Sequence, residues 1–229
     1  MSTRNLAKEQ PDSFVFTDEH KARAEKIIAK YPEGRQASAV IPLLDLAQRQ
    51  EGWVTKPAIE VIAAMLSMPV IRVLEVATFY TMFNLHPMGK THVQVCTSLS
   101  CWLRGSNDVV KACKDKLGIG FGETTPDGAV TLSEVECAGA CVNAPVVAIG
   151  DDYYEDLTYE TMGTLLDEVK SGSLRKPGPM ADRLNAAPEG ERTSLTADPT
   201  QPIPKQDLAE AKRAFDAKQE EARKAKENA

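Results

Sequence analysis

At 229 residues with 42% hydrophobic content, the chain has room for one large or two small domains with a proper core. Its 33 acids outnumber 27 bases, and the formal charge of −6, with both signs interspersed, argues against a nucleic-acid surface and for protein partners or a small redox centre. No apolar run approaches the roughly 18–20 residues that span a bilayer, and the polar start MSTRNLAKEQ has no signal-like apolar core, so a soluble chain made where it works is expected.

Residues 1–16 show no period and read as an extended arm. Thr17 is placed as an N-cap, with Asp18 and Glu19 at the positive end of a helix that runs to about Lys30 and stops at Tyr31-Pro32 and Gly34. Ser38 is read as the cap of a second helix whose stripe is Ile41, Leu44 and Gln48 and whose end is Gly52. Thr55 and Pro57 open a third helix, with Ile59, Ile62, Met65 and Leu66 facing inward. After the break at Ser67-Met68-Pro69, a fourth runs through Val70, Val73, Leu74 and Ala77. Four short helices make a small bundle over 17–85. Phe79, Tyr80, Met82 and Phe83 at its end serve either core packing at a domain junction or a surface for a partner or a cofactor.

Beyond His86-Pro87-Met88-Gly89 the period changes from helical to alternating. HVQVC is a strand that delivers Cys96, and Cys101 follows on a short loop. A helix near Asn107–Leu117 buries Val109, Val110, Ala112, Cys113 and Leu117, so Cys113 reads as a small core residue. The run GIGFG lacks the order and the preceding strand of a dinucleotide loop. Pro126-Asp127-Gly128 turns the chain into AVTLSEVEC, a strand ending at Cys137; VVAIG and DYYED form a hairpin, and Thr158 caps a last helix with Leu165, Leu166 and Val169 inward. The order strand, helix, strand, hairpin, helix over 86–172 is that of a thioredoxin-like α/β layer, with Pro145 free by sequence to be cis or trans. From Ser173 onward, six of the fourteen prolines fall between Pro177 and Pro204, giving a disordered or extended tail over 173–229, with a marginal helix at 206–227.

Four of the five cysteines form two tight pairs, Cys96-x4-Cys101 and Cys137-x3-Cys141, each expected at a strand end. Without a secretory signal, such thiols favour a reducing compartment and metal ligation over disulfides. Structural zinc mostly takes C-x2-C knuckles, whereas these longer spacers suit a wider group with two irons, each held by one pair; zinc and disulfides stay as alternatives. A Rieske centre needs two histidine ligands, and His20, His86 and His92 are not spaced to supply them. Thr97, Ser98, Ser100 and Gly139 stand ready to turn N–H groups toward sulfur, and Glu134, Glu136, Asp151, Asp152, Glu155 and Asp156 crowd the second pair with negative charge, which points to a low reduction potential.

The runs VATFYTMFNLHPMGKTHVQVCTSLSCWLRGS, GETTPDGAVTLSEVECAGACVNAPVV, DDYYEDLT and IPLLDLAQRQEGWVT resemble the E subunit of the proton-pumping NADH:quinone oxidoreductases, respiratory complex I, over roughly residues 15–172. The resemblance implies a [2Fe-2S] cluster on Cys96, Cys101, Cys137 and Cys141, and an electron-transfer subunit with no catalytic site of its own. It also implies a partner subunit bearing FMN and oxidising NADH, further iron–sulfur subunits of the peripheral arm, and a place on the cytoplasmic side of a bacterial inner membrane. The related small subunit of an NAD-linked hydrogenase or formate dehydrogenase is the runner-up; a zinc-stapled interaction module is the reading from another class.

Overall fold

The computed structural model describes residues 4–188. By contacts the chain divides into Met1–Ala186 and Ala187–Ala229, and every helix and strand among the described residues belongs to the first unit. The helix expected at 206–227 lies outside the described residues.

The N-terminal half is four helices: α1 (Asp18–Ile28), α2 (Val40–Glu51), α3 (Lys56–Met65) and α4 (Val70–Phe79). Thr17 caps α1 by accepting the His20 N–H, and Thr55 caps α3 by accepting from Ala58. Ser38 does not cap α2: it lies inside a 3-10 turn, Gln36–Ala39, that leads straight into the helix. The buried face of α2 is accordingly Val40, Leu43, Leu44 and Ala47, one step round from the expected stripe, and Val70 at the start of α4 is exposed. These helices share one apolar core with Phe14, Phe16 and Phe83. The N-terminal arm is held to the same body, because the Arg4 guanidinium donates to the carbonyls of Thr78, Tyr80 and Phe83.

The second half is a six-stranded sheet in the order β2-β3-β1-β4-β5-β6. Its centre is β1 (Thr91–Cys96), parallel to β3 (Val130–Val135) and antiparallel to β4 (Val147–Ile149). The outer strands are the two-residue β2 (Glu123–Thr124), β5 (Asp152–Glu155) and β6 (Gly178–Pro179). Two helices, α6 (Ser106–Leu117) and α7 (Tyr159–Ser171), pack against one another and over Val93, Val95, Leu132 and Val147 in a second apolar core. Cys113 is wholly buried there, as the periodicity predicts. Thr158 closes α7 with a capping box, and the Ala144–Pro145 bond is cis.

The sequence pattern missed two details that bear on the site. The loop expected between Cys96 and Cys101 is a one-turn helix, α5 (Leu99–Leu103), which carries Cys101. The tail expected from Ser173 begins as a strap, because β6 pairs parallel with β5 and residues 175–185 bond to α7, to Asp156 just past β5 and to the turn at Asn143.

Candidate metal centre

Parallel pairing of β1 with β3 brings both chain segments out at the same edge, with Cys96 opposite Val135 in the register. The backbone therefore leaves Cys96 on one side and continues from Val135 to Cys137 on the other, so two cysteine pairs distant in sequence arrive together. The Cys96 N–H is anchored on the Val146 carbonyl at 3.1 Å, which ties the first pair to the segment beyond the second. Cys96 and Cys101 are buried, 1% and 2% exposed, in a small apolar cluster with Ala144 and Val146, flanked by Val135, Ala138 and Ala140. Cys137 and Cys141 are exposed, with their sulfurs 3.4 Å apart.

Backbone donors converge on this sulfur. Gly139 N–H points at Cys137 Sγ at 3.4 Å, Ala138 and Ser98 donate to Cys96, and Val146 donates to Cys101. Gly139 was legible in the sequence as a turn residue; it sits at φ +81°, where a side chain is disfavoured. Ala138 and Val146 were not legible, because each serves a cysteine of the other loop or of a different strand. Tyr153 steadies the second loop by donating its hydroxyl to the Ala138 carbonyl at 3.0 Å.

The thiols perturb one another. Burial pushes Cys101 up to about 12, helped by the adjacent Cys96 thiol. Burial also works against ionising Cys96, yet the N–H groups of Ala138 and Ser98 and the Cys101 thiol outweigh it and hold Cys96 below the ordinary thiol range. The Gly139 N–H pulls Cys137 down, but the neighbouring Cys141 thiol and desolvation leave it raised. Cys101 and Cys137 thus resist ionising unaided, and a cationic centre beside a coordinating thiol would deprotonate it outright. Among the described residues no three His, Cys, Asp or Glu side chains converge on a point suited to a single ion; the four thiols are arranged as two pairs.

The acids near the second pair are more compensated than their count suggests. Asp151 is gripped by both terminal nitrogens of Arg49, at 2.9 and 3.1 Å, which holds its carboxyl below the usual range. Asp156 is paired with Arg183, and Glu134 accepts from Thr97 at 2.5 Å. His92, by contrast, bonds Ser133 across β1 and β3.

The family model for thioredoxin-like [2Fe-2S] ferredoxins matches residues 24–170, a span that includes all four paired cysteines. The chain belongs to the thioredoxin-like [2Fe-2S] ferredoxin family. The E subunit of NADH-quinone oxidoreductase from Rickettsia conorii is 59% identical over 160 residues, 69% of this chain and 96% of that one. The E 1 subunit of NADH-quinone oxidoreductase from Rhizobium meliloti is 49% identical over 221 residues, 94% of this chain and 80% of that one. Among solved structures, an NAD+-reducing [NiFe]-hydrogenase in its H2-reduced state superposes with a TM-score of 0.50 at 18% identity, over 56% of this chain and 22% of that one; this is a likeness of fold.

The residues present fit the group for which the family is described. Soft thiolate donors suit iron–sulfur ligation, they stand as two pairs, N–H groups aim at their sulfurs, and an apolar wall backs the buried pair. The chain is therefore a one-cluster ferredoxin by family and by donor chemistry.

Proposed function

We propose that this chain is the electron-transfer subunit of the NADH-oxidising module of a complex I, holding one low-potential [2Fe-2S] cluster on Cys96, Cys101, Cys137 and Cys141 beside an FMN-bearing partner. The observation that carries the reading is the 59% identity to the Rickettsia conorii NADH-quinone oxidoreductase protein over nearly the whole length of that relative. Such a cluster supplies one-electron chemistry when bound. The chain's own work is to hold four sulfurs in place, to direct the N–H groups of Ala138, Ser98, Gly139 and Val146 at them, and to keep Cys96 and Cys101 away from water. The exposed pair, Cys137 and Cys141, marks the side from which an electron arrives or leaves.

The assembly reading includes further peripheral-arm iron–sulfur subunits and a place on the cytoplasmic side of a bacterial inner membrane. No helix among the described residues is long and apolar enough to cross a membrane. Within the chain we read an arm to residue 16, a helical domain over 17–85, a ferredoxin domain over 86–172, and a tail whose first residues strap onto that domain. Separate apolar cores on either side of His86 support this division. The runner-up, a small subunit of an NAD-linked hydrogenase or formate dehydrogenase, is weaker: the 18% likeness to a hydrogenase is one of fold alone.

Affinity capture of the natively expressed chain, with identification of what accompanies it, tests the assignment. A flavoprotein together with quinone-reducing and membrane-arm subunits is the expected result. A nickel–iron or molybdenum subunit in their place overturns it.

A further inference from the structure

The strap over residues 175–185 lies beyond the stretch matched by the family model, 24–170, yet Arg183 and Asn185 of the strap bond to the loop that carries Cys141. Arg183 Nη2 donates to the carbonyl of Val142, the residue after Cys141, at 3.1 Å. The same guanidinium takes both oxygens of Asp156, with Nε at 2.8 Å from Oδ2, and both side chains are only 6% exposed. Asn143, buried two residues from Cys141, spreads its amide between Glu155 Oε2 at 2.7 Å and the Asn185 carbonyl of the strap at 2.8 Å. Met180 N–H completes the seam on the Glu155 carbonyl at 2.8 Å.

We infer that this strap is a latch for the second cysteine loop, with Arg183 the positioning residue that fixes the Val142 carbonyl and hence the placement of Cys141. The inference rests on the reading of Cys141 as a cluster ligand. Arg183 acts through the loop, by way of its bonds to the Val142 carbonyl and the Asp156 carboxylate. Its planar fork satisfies a carboxylate and a carbonyl at once, which a lysine ammonium reproduces only in part. Asp156, just past β5, is a suitable counterpart, because its carboxylate meets the Arg183 fork and its own N–H holds the Asn143 carbonyl at 2.8 Å. An outer partner of this kind governs how firmly a metal site is kept rather than whether the ligands exist.

The test uses the full-length, cluster-loaded chain. Arg183→Met alone leaves Asp156 buried without its cation, so it is paired with Asp156→Asn, which removes the unpaired charge and tolerates the φ of +54° at that position. Three readouts apply: the half-life of the visible absorption under a ferrous-iron chelator, the g-values of the dithionite-reduced protein, and amide exchange over 138–144. The double variant is expected to keep wild-type circular dichroism, lose its colour about tenfold faster, shift its g-values and exchange faster in that loop. Arg183→Lys should fall between it and the wild type. Wild-type half-life, g-values and exchange in both variants would mean that Arg183 only neutralises Asp156, and would overturn the latch. Should the double variant not fold, faster loss in Arg183→Lys still supports the latch and an unchanged rate there rejects it. A wild-type chain that takes up no iron would instead defeat the ligand assignment, while exchange at 138–144 would still report on the latch.

Discussion

Cys96, Cys101, Cys137 and Cys141 do not share one environment: two are buried against Ala144 and Val146, and two are open to solvent. If each pair serves one iron, removing one member from either pair should be equally damaging. Cys101→Ala and Cys137→Ala are both expected to abolish the reduced-state EPR signal, whereas Cys113→Ser, in the core between α6 and the sheet, should keep it at a modest cost in stability. An unchanged signal in either ligand variant, or a lost cluster in a folded Cys113→Ser, would contradict the assignment. His92 carries a separate expectation. Burial lowers its pKa to about 4, so the unfolded chain takes up a proton below roughly 6.5 while the folded chain does not. The stability that follows is fully present above the unfolded value and erodes as pH falls from there toward 4. Urea midpoints at pH 7 and 5.5 should show His92→Gln losing less than the wild type, by up to about 1 kcal/mol; equal losses would contradict the buried neutral ring.

Among the elements, β1 decides where the site forms, and its position depends on a close approach at its entrance. Gly89 lies against the backbone of β3, where an added Cβ would meet the Val130 carbonyl carbon at 2.9 Å and Thr131 N at 3.0 Å. Neither neighbour is a flexible side chain, so Gly89→Ala should destabilise the fold by roughly 1–3 kcal/mol, measured by urea unfolding; an unchanged midpoint would show that the strands separate freely there. The sequence marked Gly89 only as part of a turn, since close approach to a strand forty residues away leaves no local pattern. Period and capping chemistry were far more legible: Thr17, Thr55 and Thr158 cap where the side chains and spacing indicate. Ser38 failed because a 3-10 turn already feeds α2 its first carbonyls, which removes the need for a side-chain cap. The one-turn helix bearing Cys101 was hidden because five residues are too few to show a helical period.

For the molecule as a whole, the cysteine spacing marked the candidate ligands and the strand order pointed to the two pairs lying at one edge, but the charges around them needed tertiary structure. Six acids near the second pair looked like a strongly negative field, whereas Arg49 reaches Asp151 from the helical half and Arg183 reaches Asp156 from the strap. Both cations come from outside the local run, 102 and 27 residues away in sequence, which is why a local charge count overstates the field. The aromatic run at the end of α4 likewise divides only in three dimensions: Phe83 is core, while Phe79, Tyr80 and Met82 are exposed.

A cluster held by four thiols is the central claim, and metal analysis of the anaerobically purified chain addresses it without any partner. Iron and acid-labile sulfide are expected at about two each per chain, in a red-brown protein. Colourless, folded material containing neither, or holding zinc at one per chain, would contradict it.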